Sequence, residues 1–296
     1  MNRSTLLCLP LLLAGCAGAA QHADLPEPPA AKPQLAGDQY LYGSGEAAAA
    51  SQQAWQALTF YVGEAMQGKD RRSVVLAPGA TLDAPRFVPC AGKPPAAVFD
   101  VDETVLLNQG FEYDDLTGAP HRDFEDRWTR WEKTGVHAVS PTPGAKDALD
   151  ALRRMGLTVI FNTNRNAFDA AQTEQAINDA GLGPAEHGKT LFLSGDDARG
   201  SRKDGRRAAI ASRYCVVAMA GDQLGDFSDL FNGDDVASIP ARRAAAMGSA
   251  IAALWGRGWF VLPNPVYGTA LQGGADDIFP TTKRWSDPAS TSKEAR

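Results

Sequence analysis

A doubly wound, mostly parallel α/β sheet with helices on both faces is the fold class this sequence predicts. Short apolar runs of strand length, beginning at Ala96-Ala97-Val98-Phe99, alternate with amphipathic helical stretches. The helical stretches stop at glycines such as Gly156 and Gly181. Polar residues follow the apolar runs directly, above all in Asp100-Val101-Asp102-Glu103-Thr104. Ligands of open α/β sheets bind outside the carboxyl ends of the strands. Two acids there repel each other, so the site calls for a cation and an anionic partner.

The chain opens on an address. Arg3 is followed by an apolar stretch over 6–13, too short to span a bilayer, and then Leu13-Ala14-Gly15-Cys16. This order resembles a bacterial lipoprotein signal. The resemblance implies cleavage before Cys16 and lipidation of its thiol. Ala17 after it, where inner-membrane proteins carry aspartate, points to the outer membrane. An ordinary secretory peptide, cut a few residues later, is the alternative. The segment 16–37 is rich in Ala and Pro and reads as a tether.

A helix is expected over 44–66, with Trp55, Leu58, Val62 and Met66 on one face. After the first strand, Leu149, Leu152 and Met155 mark a helix and 157–161 a buried strand. A helix over 169–180, a short strand over 191–193 and a helix over 202–212 come next. A strand over 215–220, a single helix over 242–255 and a last strand over 259–262 complete the alternation. The polar, aromatic-rich stretch 108–139 fits no crossover helix and reads as a small, partly helical cap. The expected domain is 38–285, with its core at about 94–107 and 140–265. Its cap or helical subdomain takes 38–75, 108–139 and 266–285, and 286–296 is a polar tail.

With 296 residues the chain can bury a full core, and a formal net charge of −6 without a dense Lys/Arg block excludes a nucleic-acid polymer as partner. Cys90 and Cys215 each precede a core strand. A disulfide between them and a pair of buried thiols are both open.

Three strand ends and one helix start carry polar residues in a definite order. They are Asp100 with Asp102, then Thr163-Asn164, then Lys203, then Gly221-Asp222-Gln223-Leu224-Gly225-Asp226. Each alone has a plain explanation, as a helix cap, a turn, a solvated lysine or a strand exit. An EF-hand fails because a buried strand precedes Asp100 and glycine is missing at the sixth position. Together and in this order they resemble the haloacid-dehalogenase (HAD) phosphohydrolases. Within that superfamily the chain resembles the bacterial class C acid phosphatases, the outer-membrane lipoprotein 5′-nucleotidase group. Trp128-Thr129-Arg130-Trp131 and the stretch from Phe260 through Pro263-Asn264-Pro265-Val266-Tyr267-Gly268 match as well.

The resemblance implies that Asp100 attacks phosphorus and Asp102 acts as general acid and base. A phosphate dianion repels such a nucleophile by about 4 kcal/mol per unit charge at ~4 Å and a dielectric of ~20. It implies that Mg2+ offsets this, held by the Asp100 carboxylate, the Asp102 carbonyl and Asp222. Lys203, the Thr163 hydroxyl and backbone amides near Asp102 and Asn164 would hold the transferring oxygens. Asp226 would orient Lys203 or a water on the metal. Lys189, which precedes the short strand, is the rival lysine. It lacks the Lys-x-x-Arg-Arg context of Lys203.

Trp128 and Tyr267 match positions that sandwich the base or aryl leaving group in the family, against a plain role as core aromatics. The implied substrates are nucleoside 5′-monophosphates, extending to nicotinamide mononucleotide, and aromatic monophosphates. The implied assembly is a homodimer, touching the membrane only by its lipid. Ala47 stands where the family has tyrosine. A phosphotransferase with the same aspartate, and a non-catalytic binding protein of the same fold, are the alternatives. A signalling receiver domain is excluded by the two aspartates that follow Lys203.

Overall fold

The computed structural model describes residues 33–68, 71–118 and 123–287. The expected signal peptide 1–15, the lipidation site Cys16, most of the tether and the tail from 288 lie outside the described residues.

Among the described residues, five parallel strands form one sheet in the order β5-β4-β1-β6-β7. They are β1 (Pro95–Phe99), β4 (Thr158–Asn166), β5 (Leu191–Ser194), β6 (Cys215–Gly221) and β7 (Trp259–Val261). The alternation of side chains along a strand divides the core in two. Ala97, Phe99, Val159, Phe161 and Val217 face one side, with α2 (Gly45–Gln67), α5 (Ala145–Arg154) and α6 (Ala170–Asp179) packed on them. Ala96, Val98, Ile160, Val216 and Trp259 face the other, with α7 (Asp204–Arg213) and α9 (Ser249–Ala252). Both sides of β1 are thereby buried, which is why its run is continuously apolar. Phe99, the last residue of β1, is fully buried, and the chain reaches the cavity only beyond the strand's carboxyl end, at Asp100.

The cap rises from that end. A short antiparallel pair, β2 (Leu106–Leu107) with β3 (Ser140–Pro141), forms its root. Between them lie α3 (Gln109–Thr117) and α4 (Phe124–Thr134). The Arg127 guanidinium ties them together, bonding Asp114 and Asp115 while stacking 4.7 Å above the Phe111 ring. The Asp123 side chain caps α4 by accepting from Asp126 N at 2.8 Å.

Several expectations need correction. The tether does not run to residue 37, because α1 (Pro33–Gly43) begins within it. A Cβ on Gly37 would meet the Pro265 carbonyl oxygen at 2.1 Å, so helix and loop approach as only glycine allows. The stretch 38–75 does not join the cap as a unit. α1 packs against α3, whereas Trp55, Leu58 and Val62 of α2 are core residues of the sheet face. Ser44 caps α2, accepting from Ala47 N at 3.0 Å. The single helix over 242–255 is two helices, α8 (Ile239–Ala246) and α9, parted at Met247-Gly248, where glycine's poor helix propensity decides. Cys90 and Cys215 form a disulfide, fastening the loop before β1 to the start of β6. The segment from 268 carries the short α10 (Ala275–Ile278).

Candidate active site

The strand ends converge on a cavity of about 640 Å3. Asp100, Asp102, Asn164, Lys203, Asp222 and Asp226 line it, together with Trp128 and Tyr267.

Backbone register places the two acids. Asp100 N donates to Ala220 O of β6 at 3.0 Å, so the loop leaves β1 from a fixed point. The Val101 carbonyl then accepts from Thr104, Val105 and Leu106 at 3.3, 3.0 and 2.9 Å. This tight turn forces Glu103 into the left-handed region, at φ 52°. The Glu103 carboxylate is buried and accepts from Asn108 N at 2.8 Å, Tyr42 Oη at 2.9 Å and the Tyr267 hydroxyl.

Lys203 stands at the start of α7, and Asp229 accepts from Lys203 N at 2.9 Å and Asp204 N at 3.0 Å. Its buried Nζ donates to Asp100 Oδ1 and, at 2.6 Å, to Asp226 Oδ1. The other Asp226 oxygen accepts from Gln223 N at 2.9 Å, so protein donors engage both oxygens. That approach needs Gly221, where a Cβ would lie 2.3 Å from the Asp226 Cβ. Asp222 accepts from Thr104 Oγ1 at 3.2 Å, Gln223 Nε2 at 2.9 Å and Asn264 Nδ2 at 2.8 Å.

The electrostatics call for a cation. Burial pushes the Asp100 carboxyl well above its ordinary value, and Asp226, Asp222 and Asp102 add to this while Lys203 opposes it. Burial, then Asp226, lifts Asp222 to about 7. Burial works against the Lys203 charge, but Asp100 and Asp226 outweigh it and raise that group. Asp100, Asp222 and Asp226 offer oxygens within 4.8 Å of one another. An all-oxygen, buried and negatively overcharged donor set fits a hard divalent ion.

Asp102 differs. Burial would raise its carboxyl, yet Arg165 holds it below the usual range. Arg165 Nε and Nη2 donate to Asp102 Oδ1 at 2.9 and 2.8 Å, and Asn108 Nδ2 donates to the same oxygen at 2.8 Å.

The model of the family described as HAD superfamily, subfamily IIIB (Acid phosphatase) matches residues 38–270, which takes in the sheet, the cap and the whole cavity wall. The chain belongs to this family. It is a phosphoric monoester hydrolase, an acid phosphatase of the HAD type. Among solved structures it is similar to the class C acid phosphatase from Bacillus anthracis, with 24% identity and a TM-score of 0.63, over 79% of this chain and 85% of that one. The same Bacillus anthracis enzyme with tungstate bound matches at 24% identity, with a TM-score of 0.61 and the same coverage. This likeness carries the fold. None of the curated proteins compared with the chain matches it.

In this phosphatase the expected residues fall unequally. Lys203 reaches the acids, whereas Lys189 is exposed and pairs with Glu186 at 2.5 Å. Asn164 lines the cavity, but the Thr163 hydroxyl is fully buried and contacts Asp102 Oδ2 at 3.3 Å. Trp128 lies parallel to Phe124, at 6.1 Å and 9°, and edge-on to Phe111 at 5.0 Å. Tyr267 presents its ring to the cavity while its hydroxyl is anchored on Glu103.

Sequence reasoning missed the arginines. Arg206 donates to the Thr163 carbonyl and, at 2.6 Å, to Asn164 Oδ1. Arg207 donates to the carbonyls of Gly225 and Asp226 at 3.0 and 2.9 Å. The pair thus clamps the second and third strand-end loops to the helix that bears Lys203. Their signal was helical spacing: Lys203, Arg206, Arg207 and Ile210 share one face, and that face is buried.

Proposed function

We propose that this acid phosphatase is a Mg2+-dependent phosphomonoesterase that takes nucleoside 5′-monophosphates and aromatic monophosphates through an aspartyl-phosphate on Asp100. One observation carries the reading: the buried Lys203 ammonium bridges Asp100 and Asp226 inside a cavity that Asp102 and Asp222 also line. Asp100 attacks phosphorus, and Asp102 gives its proton to the leaving oxygen as the ester bond breaks. Asp102 then takes a proton from the water that hydrolyses the acyl phosphate. With the Asp100 carboxylate, the Asp102 carbonyl and Asp222 as ligands, magnesium would supply the positive charge that offsets repulsion between dianion and nucleophile. Lys203 holds a transferring oxygen and Asp226 fixes the ammonium. The Thr163 hydroxyl exchanges Asp102 for a phosphate oxygen, beside the Asn164 amide. The faces of Trp128 and Tyr267 take the ring of the substrate.

The test is phosphate release over nucleotides and aryl phosphates, with magnesium or EDTA, for the parent and Asp100→Asn. We expect hydrolysis with magnesium, none with EDTA, and a loss of roughly 10⁴-fold or more in Asp100→Asn. Parental turnover by a folded Asp100→Asn protein would end the reading.

The proposal extends to lipidation at Cys16, an outer-membrane location and a homodimer. The Cys90–Cys215 disulfide supports export, because such bonds persist in oxidising compartments. Cys16→Ser should move the protein from the membrane fraction to the soluble fraction, and unchanged fractionation would argue against the anchor. Light scattering of the detergent-free 33–296 chain tests the dimer, and a monomer mass would reject it.

A further inference from the structure

We propose that Arg165 is a positioning residue that selects which oxygen of Asp102 delivers the proton to the leaving group. This rests on the reading of Asp102 as the general acid. Arg165 is 2% exposed and emerges from β4 on the same side as Phe161 and Thr163. Its Nε and Nη2 converge on a single oxygen, Asp102 Oδ1. An arginine opposite a carboxylate ordinarily spans both oxygens. Here Nη2 is also drawn to Asn108 Oδ1 at 2.9 Å, and Asn108 returns a bond to Asp102 Oδ1. Three donors therefore saturate Oδ1. Oδ2 has one long contact, to Thr163 Oγ1 at 3.3 Å, and Arg165 N in turn donates to that hydroxyl at 3.1 Å. A proton on Oδ1 would face a guanidinium and an amide, both donors. Arg165 keeps the resting carboxyl ionised, and when Asp102 takes up a proton for the reaction it goes to Oδ2, the oxygen left unsaturated on a side chain that lines the cavity.

In the reaction, the Oδ2–H bond breaks and the proton goes to the ester oxygen. The P–O pair leaves with that oxygen while the Asp100 oxygen bonds to phosphorus. Asp102 is left as an anion on Arg165, its partner already in place. Glu132 steadies the arrangement from the cap, accepting from Asn166 N at 2.9 Å and Trp128 Nε1 at 3.1 Å.

Proton delivery matters most when the leaving group is a poor one, so the test reads dependence on the leaving group. kcat/KM, which reports formation of the acyl phosphate, would be measured with alkyl monophosphates, AMP, phenyl phosphate and p-nitrophenyl phosphate. For Arg165→Met we expect a fall of about 10²-fold or more on alkyl esters and AMP. On p-nitrophenyl phosphate, whose anion leaves without a proton, the fall should be under about 5-fold by the same argument. Arg165→Lys keeps the charge but not the fork, and should give an intermediate slope of rate against leaving-group basicity. It decides the question if Arg165→Met does not fold. Asp102→Asn should show the same slope as Arg165→Met, and the double variant no further steepening. Equal losses across the series in either folded Arg165 variant, or no loss, would overturn the proposal. If the parent hydrolyses no ester, the functional reading fails and this proposal falls with it. A steep Asp102→Asn slope beside a flat Arg165 slope sinks this proposal alone.

Discussion

The phosphate end and the leaving-group end that the proposed function assigns to the cavity are built in opposite ways. At the phosphate end, Asp100 and Asp222 come straight off β1 and β6, and Lys203 is held by Asp229 at the first turn of α7. Their positions follow from sheet register; Lys203 pairs with Asp100, and neutral donors from Thr104, Gln223 and Asn264 hold Asp222. At the other end, Phe111, Phe124 and Trp128 stand on the inserted helices α3 and α4 and pack chiefly on one another. On the proposed function, chemistry falls to the sheet ends and ring recognition to an insertion whose aromatic faces would tolerate many partners. Glu132 joins the two, bonding the indole of Trp128 and the backbone beyond Arg165 with one oxygen.

The sharpest way to break the comparison is at Lys203. Lys203→Met should lower kcat by roughly 10³-fold, as loss of a transition-state donor does. Lys189→Ala, at an exposed lysine paired only with its neighbour, should leave kcat unchanged. Steady-state phosphate release checks both, and the reverse outcome would transfer the role to Lys189.

A smaller effect is expected at the other end. Trp128→Ala should raise the KM for AMP and p-nitrophenyl phosphate by about 10-fold, from roughly 1–2 kcal/mol of lost stacking. Its kcat should move less than the KM. An unaltered KM for both substrates would remove the indole from recognition.

The smallest effect concerns stability at the cavity rim. Burial, then Glu103, Asp38 and Asp115, lifts Glu112 from 4.5 to about 8 against the opposing Arg127. The folded protein binds that proton more tightly than the unfolded chain. The stability it lends is complete below about pH 4.5 and is lost as pH rises through about 8. Tm should fall over that window, by on the order of 10 °C at about 2–4 °C per kcal/mol. Glu112→Gln should make the fall shallower, with Asp222 and Asp100 still titrating in the window, and an equally steep fall in the variant would place the titration elsewhere.

The same contrast explains what the sequence made legible. Asp100, Asp222 and the strands bearing them could be read because each acid directly follows a run buried on both faces. Lys203 could be read from the Arg206-Arg207 context. Arg165, Asn108 and Glu132 could not, since their roles arise from contacts between segments 57 and 34 residues apart. Strand alternation was the available signal for Arg165: it shares a face with Phe161 and Thr163, both buried. α1 escaped notice because its place is set by close approach to Pro265 rather than by an amphipathic pattern. The break at Gly248 was visible in composition, but the apolar residues on either side of it read as one helix.

The account turns on phosphorus passing to the side chain at position 100. Rapid quenching of the magnesium-loaded enzyme during turnover, followed by borohydride, converts an aspartyl-phosphate to homoserine. Peptide mass spectrometry should find homoserine at position 100 and at no other aspartate. Turnover with Asp100 unmodified, or with the mark on Asp102 or Asp222, would contradict it.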